Sequence, residues 1–125
     1  MPPMRWLVHG TLTRAADEAL VRHGHAAQRP AEIGIASDAS FAEIFAAAHA
    51  KQLDVITNDG NLASAAVQEP VKFDRSLVFL QLEGGDVEQD DAIDRLFKRY
   101  KRLTPGRMYT VTANRVKVRQ LPTAR

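Results

Sequence analysis

Short buried-strand patterns alternate with helix-periodic stretches along this chain, and that alternation restricts the fold more than any other feature. Residues 5–9 (RWLVH) read as a buried strand broken by Gly10 and Thr11. From Thr11 onward, Leu12, Ala16, Ala19, Leu20 and His23 recur at helical spacing, and Gly24 is a natural terminator. Residues 25–28 carry a weak strand signal, and residues 29–39 (RPAEIGIASDA) read as a loop. Ser40 and Glu43 stand at capping-box spacing and open a helix whose apolar face is Phe41, Ile44, Phe45 and Ala48. Residues 54–57 (DVIT) form the next strand, residues 58–61 a turn, and residues 62–67 a short helix stopped before Pro70. Residues 76–82 (SLVFLQL) are the clearest buried strand. Asp86 and Gln89 repeat the capping-box spacing ahead of an amphipathic helix built on Ile93, Leu96, Phe97, Tyr100 and Leu103. Residues 108–112 and 115–121 then alternate around Ala113-Asn114 as a closing β-hairpin, with Val116 and Val118 on one face and Arg115, Lys117 and Arg119 on the other. Strands alternating with helices imply an α/β fold with a short, mostly parallel sheet and helices on its faces.

A length of 125 residues fits a single domain over residues 1–125, and a 45% hydrophobic content supplies one ordinary core. No apolar run approaches a membrane span, and the amino-terminal apolar stretch is too short for a secretory signal. The chain has no cysteine, which excludes disulfides and thiolate metal sites and is compatible with a cytoplasmic location. No paired histidine spacing of a zinc site, Gly-rich phosphate loop or nucleophile elbow is present.

Charge is divided unevenly. Residues 1–94 hold 7 Lys and Arg against 15 Asp and Glu, whereas residues 95–125 hold 10 Lys and Arg and no acid. A basic end of this kind can track phosphates, with Lys98, Arg99, Lys101, Arg102, Arg115, Lys117 and Arg119 as nucleic-acid contacts; it equally serves solubility and helix-end charge matching. Asp90, Asp94, Lys98 and Arg102 follow one another at i,i+4 spacing, which reads as a solvated helix face.

In parallel sheets ligands sit beyond the carboxyl ends of the strands. Two such ends carry polar groups, His9-Gly10-Thr11 and Thr57-Asn58-Asp59. Asp59 is the leading catalytic candidate, with helix capping or Asp-Gly turn chemistry as its ordinary alternative. Asp38 and Glu43 are the other two; a loop turn explains the first equally well and the capping box explains the second. Carboxylates from these stretches meeting at one rim would hold Mg²⁺ or Mn²⁺, which prefer oxygen ligands. His9 is a further candidate ligand, or else a buried hydrogen-bonding group. His23, His25 and His49 read as surface or helix-end groups.

The runs GHAAQ, AEIFAAAHAKQLDVITNDGNL, SLVFLQL and RVKVRQLP, taken in order from Arg5 to Pro122, resemble the short bacterial PIN-like domain family, related to VapC-type toxin ribonucleases. The resemblance implies a PIN-like three-layer α/β/α fold with a C-terminal β-hairpin. It also implies a metal-dependent nuclease in which Asp59 is the acid of the Thr57-Asn58-Asp59 turn, Asp38 or Glu43 is the middle acid, and Thr57 and Asn61 position the substrate. This chain departs from the family pattern where His9 replaces the usual first Asp, Phe41 an Asp, and Asn61 a second Asp. Three functions follow as expectations. One is a PIN-like ribonuclease using Mg²⁺ or Mn²⁺, the toxin of a toxin–antitoxin pair. Another is a catalytically degenerate PIN-like domain that binds RNA or a protein partner without cleavage. The third is a homodimeric scaffold joined through the apolar hairpin face.

Overall fold

The computed structural model describes residues 4–68 and 73–122; Pro70, expected to stop the third helix, lies outside them. The elements run β1 (Arg5–His9), α1 (Arg14–Arg22), β2 (Ala26–Gln28), a 3-10 turn (Pro30–Ile33), α2 (Phe41–Ala50), β3 (Asp54–Thr57), α3 (Gly60–Gln68), β4 (Leu77–Leu80), α4 (Asp86–Arg99), β5 (Arg107–Val111) and β6 (Val116–Gln120). The strands form one sheet in the order β2-β1-β3-β4-β5-β6. All neighbours pair in parallel except β5 and β6, which are antiparallel. Among the described residues, no helix is long and apolar enough to cross a membrane.

Because side chains alternate across a strand, the sheet divides the core in two. Trp6, Val8, Ile56, Val78, Leu80, Tyr109 and Val111 pack with the apolar stripes of α1 and α4. Leu7, Val55, Leu77 and Met108 pack with Ile44, Phe45 and Ala48 of α2 and with Leu62, Ala63 and Ala66 of α3.

The helix ends follow local chemistry. Thr13 caps α1, its Oγ1 accepting from Ala15 N at 3.3 Å. Ser40 Oγ accepts from Glu43 N at 3.1 Å, so the capping box read from the sequence forms. At α4 the capping acid is Glu88, whose Oε1 accepts from Gly85 N at 2.9 Å. Gln89, expected in that role, is instead buried and its Oε1 accepts from Thr13 N at 2.9 Å and from Thr13 Oγ1 at 3.1 Å, tying the start of α1 to α4.

Helix α4 is shorter than its apolar periodicity implies. Tyr100 is extended (φ −124°, ψ 101°), and Lys101 and Arg102 therefore lie beyond the helix. Tyr100 instead stacks edgewise on Tyr109 with ring centroids 5.3 Å apart. The acidic half of α4 does more than face solvent. Arg22 pairs with Asp90 and Asp94, and His23 Nε2 lies 2.7 Å from Asp94 Oδ1, so α1 and α4 are joined by charge as well as by packing.

Two buried polar residues were not distinguished by spacing. Asp54, 1% exposed, accepts from Ser76 N at 2.8 Å and has Arg75 Nη2 at 3.4 Å, which pins the starts of β3 and β4 together. Burial pushes its carboxyl above the usual range, against the opposing hydrogen bond from Ser76 and the charge of Arg75. His25, read from the sequence as a surface or helix-end group, is buried: its Nδ1 accepts from Met4 N at 3.0 Å and its ring lies 4.8 Å from Phe97.

Burial lowers the pKa of both His25 and His9 from 6.5. A depressed folded pKa means that the unfolded chain takes up the proton first. The stability these rings contribute is therefore full above about pH 6.5 and is lost as pH falls through the lowered folded values. Asp54 acts in the opposite sense: its raised carboxyl contributes stability that is lost as pH rises through its folded value. The urea midpoint is expected to fall between about pH 7.5 and pH 5.5, and to fall less in His25→Gln. An unchanged midpoint would show that neither ring resists protonation in the fold.

Candidate functional site at the β1–β3 rim

Strand order reverses at β1: β2 lies on one side of it and β3 on the other. In open parallel sheets such a switch point leaves a crevice beyond the strand ends. Here that crevice is bordered by His9 and Thr57, which stand directly opposite each other in register.

Side chains and turns clasp the two corners together. His9 Nδ1 and Thr57 Oγ1 are 2.8 Å apart, and Thr57 Oγ1 also accepts from Asp59 N at 2.9 Å. Asn58 bridges back to the first corner, its Oδ1 accepting from Thr11 N at 2.9 Å and its Nδ2 donating to Thr11 Oγ1 at 2.8 Å. Gly10 is required at this point: its φ is +89°, and a Cβ there would collide with Asn58 Oδ1. Gly10 and Asn58 both stand in the two strand ends marked in the sequence, but their own roles are not legible there, because those roles depend on two corners 48 positions apart in the chain meeting.

Asp59 serves as the start of α3 as well as a rim acid. Its Oδ1 accepts from Asn61 N at 2.9 Å and its carbonyl from Ala63 N at 3.2 Å. Its carboxylate also acts on His9, raising the imidazole pKa against the stronger lowering by burial. With Thr57 fully buried and His9 half-buried, the rim presents one imidazole and one carboxylate.

Asp38 is exposed in the loop before α2, and Glu43 is exposed and engaged in the Ser40 capping box. Among the described residues, no three His, Asp or Glu side chains come together at a distance that could hold a metal ion. The donor set implied for Mg²⁺ or Mn²⁺ is thus His9 with Asp59, one of whose oxygens already accepts from Asn61 N. That set does not fit Mg²⁺, which needs near-octahedral oxygen ligation from more than one anionic group. Asn61 reaches Asp59 through its backbone, and its side chain is exposed.

The basic residues do not make one surface. Arg95, Lys98, Arg99 and Arg115 line a groove of about 710 Å³ between α4 and the β5–β6 turn, with Asp91 and Asp94 on the same walls. Lys117 and Arg119 line a second groove, about 730 Å³, on the α3 side of the sheet. Arg115 therefore parts from the two residues with which strand alternation groups it: it precedes β6 and belongs to the turn, where its N donates to Thr112 Oγ1. Lys101 and Arg102 lie elsewhere again, beside His23, His25 and Phe97.

Comparisons with protein-family models, with curated proteins and with solved structures find no match to this chain.

Proposed function

We propose that this chain is a PIN-like three-layer α/β/α domain that binds RNA through the basic surfaces of its carboxyl-terminal third and does not cut it by metal chemistry. One observation carries the reading. Residues 95–122 contain nine Lys and Arg, and among the described residues none of them is in an ion pair. Helix-end charge matching alone leaves the cations of β6 and its turn without a purpose, whereas a polyanion gives each a partner. Sequence order supports the PIN-like assignment, and the 2-1-3-4-5 parallel arrangement fits it as a doubly wound sheet; His9 standing where the resemblance places an Asp, hydrogen-bonded to Thr57, supports the loss of metal-dependent cleavage.

A second reading is favoured by the same rim. Asp59 lies at the switch point where ligands gather, beside the corner that carries His9, which is where a PIN-like ribonuclease would keep its metal site; the toxin role with a cognate antitoxin goes with that reading. The homodimer reading has less support, because Val116 packs on the core and Val118, 37% exposed, is the exposed apolar group of β6.

Labelled RNA incubated with the native chain and with Asp59→Asn, in Mg²⁺, in Mn²⁺ and in chelator, separates the readings. The expected result is intact RNA in every tube, bound with an affinity that falls as salt rises. Each phosphate engaged on a single strand steepens the log–log slope by about 0.7. Cleavage that needs metal and fails in Asp59→Asn would establish the nuclease instead. RNA that neither binds nor breaks would remove both readings.

A further inference from the structure

The rim and the α3-side groove are parts of one row of residues. Register places His9 opposite Thr57, Thr57 opposite Phe79, Phe79 opposite Thr110, and Thr110 opposite Lys117. Directly paired residues share a face, so a single cross-strand ladder runs from the candidate site to the outer strand. Helix α3 lies along β4 at the middle of the ladder and forms one wall of the groove, whose floor is Phe79 and Thr110 and whose far side is Lys117 and Arg119. Phe79 is partly exposed there, beside Gly60, which contributes no side chain over the ring.

The geometry points to a nucleotide-binding subsite in this groove, taking a base against Phe79 and its phosphate at Lys117 and Arg119. Phe79 and Lys117 are two strands apart, about 10 Å between backbones at the usual spacing, which a lysine side chain reaching back over Thr110 reduces to the span of a nucleotide. Arg119 stands one pleat away, opposite Met108. Ser64, Gln81 and Thr110 line the same groove, and among the described residues their side chains make no hydrogen bond, leaving donors and acceptors free for a base edge. Stacking on a partly exposed ring beside unpaired cations is how single-stranded nucleic acid is held without a sequence code. This inference rests on the RNA-binding reading and adds a place and a chemistry to it: base and phosphate engaged together, on the face of the sheet opposite α4.

The test is a titration of the ¹⁵N-labelled chain with adenosine 5′-monophosphate, then with adenosine, inorganic phosphate and an RNA of about ten nucleotides, a length within the usual site size. The monophosphate is expected to shift amides of α3, Phe79, Thr110 and Lys117, and to bind more tightly than adenosine or phosphate alone. Lys117→Gln/Arg119→Gln and Phe79→Leu are each expected to weaken it about tenfold or more, with melting temperatures confirming that the variants fold. An RNA that shifts the same amides at lower concentration assigns the subsite to RNA; equal potency of monophosphate and RNA assigns it to a free nucleotide. Phosphate binding as well as the monophosphate would reduce the groove to an anion patch and overturn the inference. RNA binding that leaves the groove amides unmoved would also overturn it, while sparing the RNA-binding reading. Monophosphate shifts in the groove without RNA binding would do the reverse.

Discussion

Reversing charge at Lys98, Arg99 and Arg115 together is expected to weaken RNA binding on the order of a hundredfold at ~0.15 M salt. The three residues line the groove between α4 and the β5–β6 turn. All three are exposed and none is in an ion pair among the described residues, so their substitution leaves the core and the α1–α4 charge link intact. Each phosphate contact on a single strand adds about 0.7 to the salt slope, which is roughly fourfold in affinity at ~0.15 M relative to ~1 M. Losing three such contacts costs roughly sixtyfold by that scaling, and placing carboxylates beside phosphates adds repulsion. Anisotropy titrations at several salt concentrations would report both quantities. The triple variant should show a salt slope shallower by about two. An unchanged slope with weakened binding would mean that these cations support the fold of the groove and touch no phosphate.

The sequence was informative wherever a single element explains itself. Residues 5–9 and 54–57 are strands with the bounds that composition implied, and Ser40 caps α2 through Glu43 as its spacing predicted. Alternation and spacing describe neighbours in the chain, so they fail where the decisive partner is distant. Gln89 has the spacing of a cap, but the Thr13 backbone, 76 positions away, claims its side chain. Nothing adjacent to His25 shows that Phe97 will cover it. The ends of α4 and α3 shift for a related reason. Tyr100 leaves the helix to meet Tyr109, and Asp59 caps α3, which begins at Gly60, two residues before the first apolar position of its periodic pattern.

The candidate site was legible in the same measure. Strand ends marked out His9 and Asp59, and the register brings those corners together. Asp38 and Glu43 were candidates because a carboxylate in a loop or a first turn can point to many places. Glu43 satisfies the backbone of its own helix, and a capping box is a local demand that a distant cation must outbid. The division of the basic residues between two sheet faces follows from the position of the β5–β6 turn. Alternation assigns Lys117 and Arg119 to one face but does not extend to Arg115, which is outside the strand.

Truncating Trp6 to alanine is expected to cost about 3–5 kcal/mol, a large share of the ~5–15 kcal/mol by which domains of this size are stable. Trp6 is fully buried in β1, between β2 and β3, and faces the cluster formed by α1 and α4. Its ring meets Phe97 edge-on, with centroids 6.4 Å apart and planes at 75°. An alanine there leaves a cavity under both helices that strands paired on either side cannot close. Trp6→Phe should cost far less, under about 2 kcal/mol, because it keeps an aromatic ring against Phe97 and because Trp6 Nε1 has no hydrogen-bond partner to lose. Since Trp6 is the chain's one tryptophan, urea unfolding of the variants is followed by far-ultraviolet circular dichroism. RNA binding by folded Trp6→Phe should be unchanged, as the basic grooves lie beyond the ring. Equal costs for phenylalanine and alanine would mean that the full volume of the indole, and not an aromatic ring against Phe97, is what β1 contributes to the core.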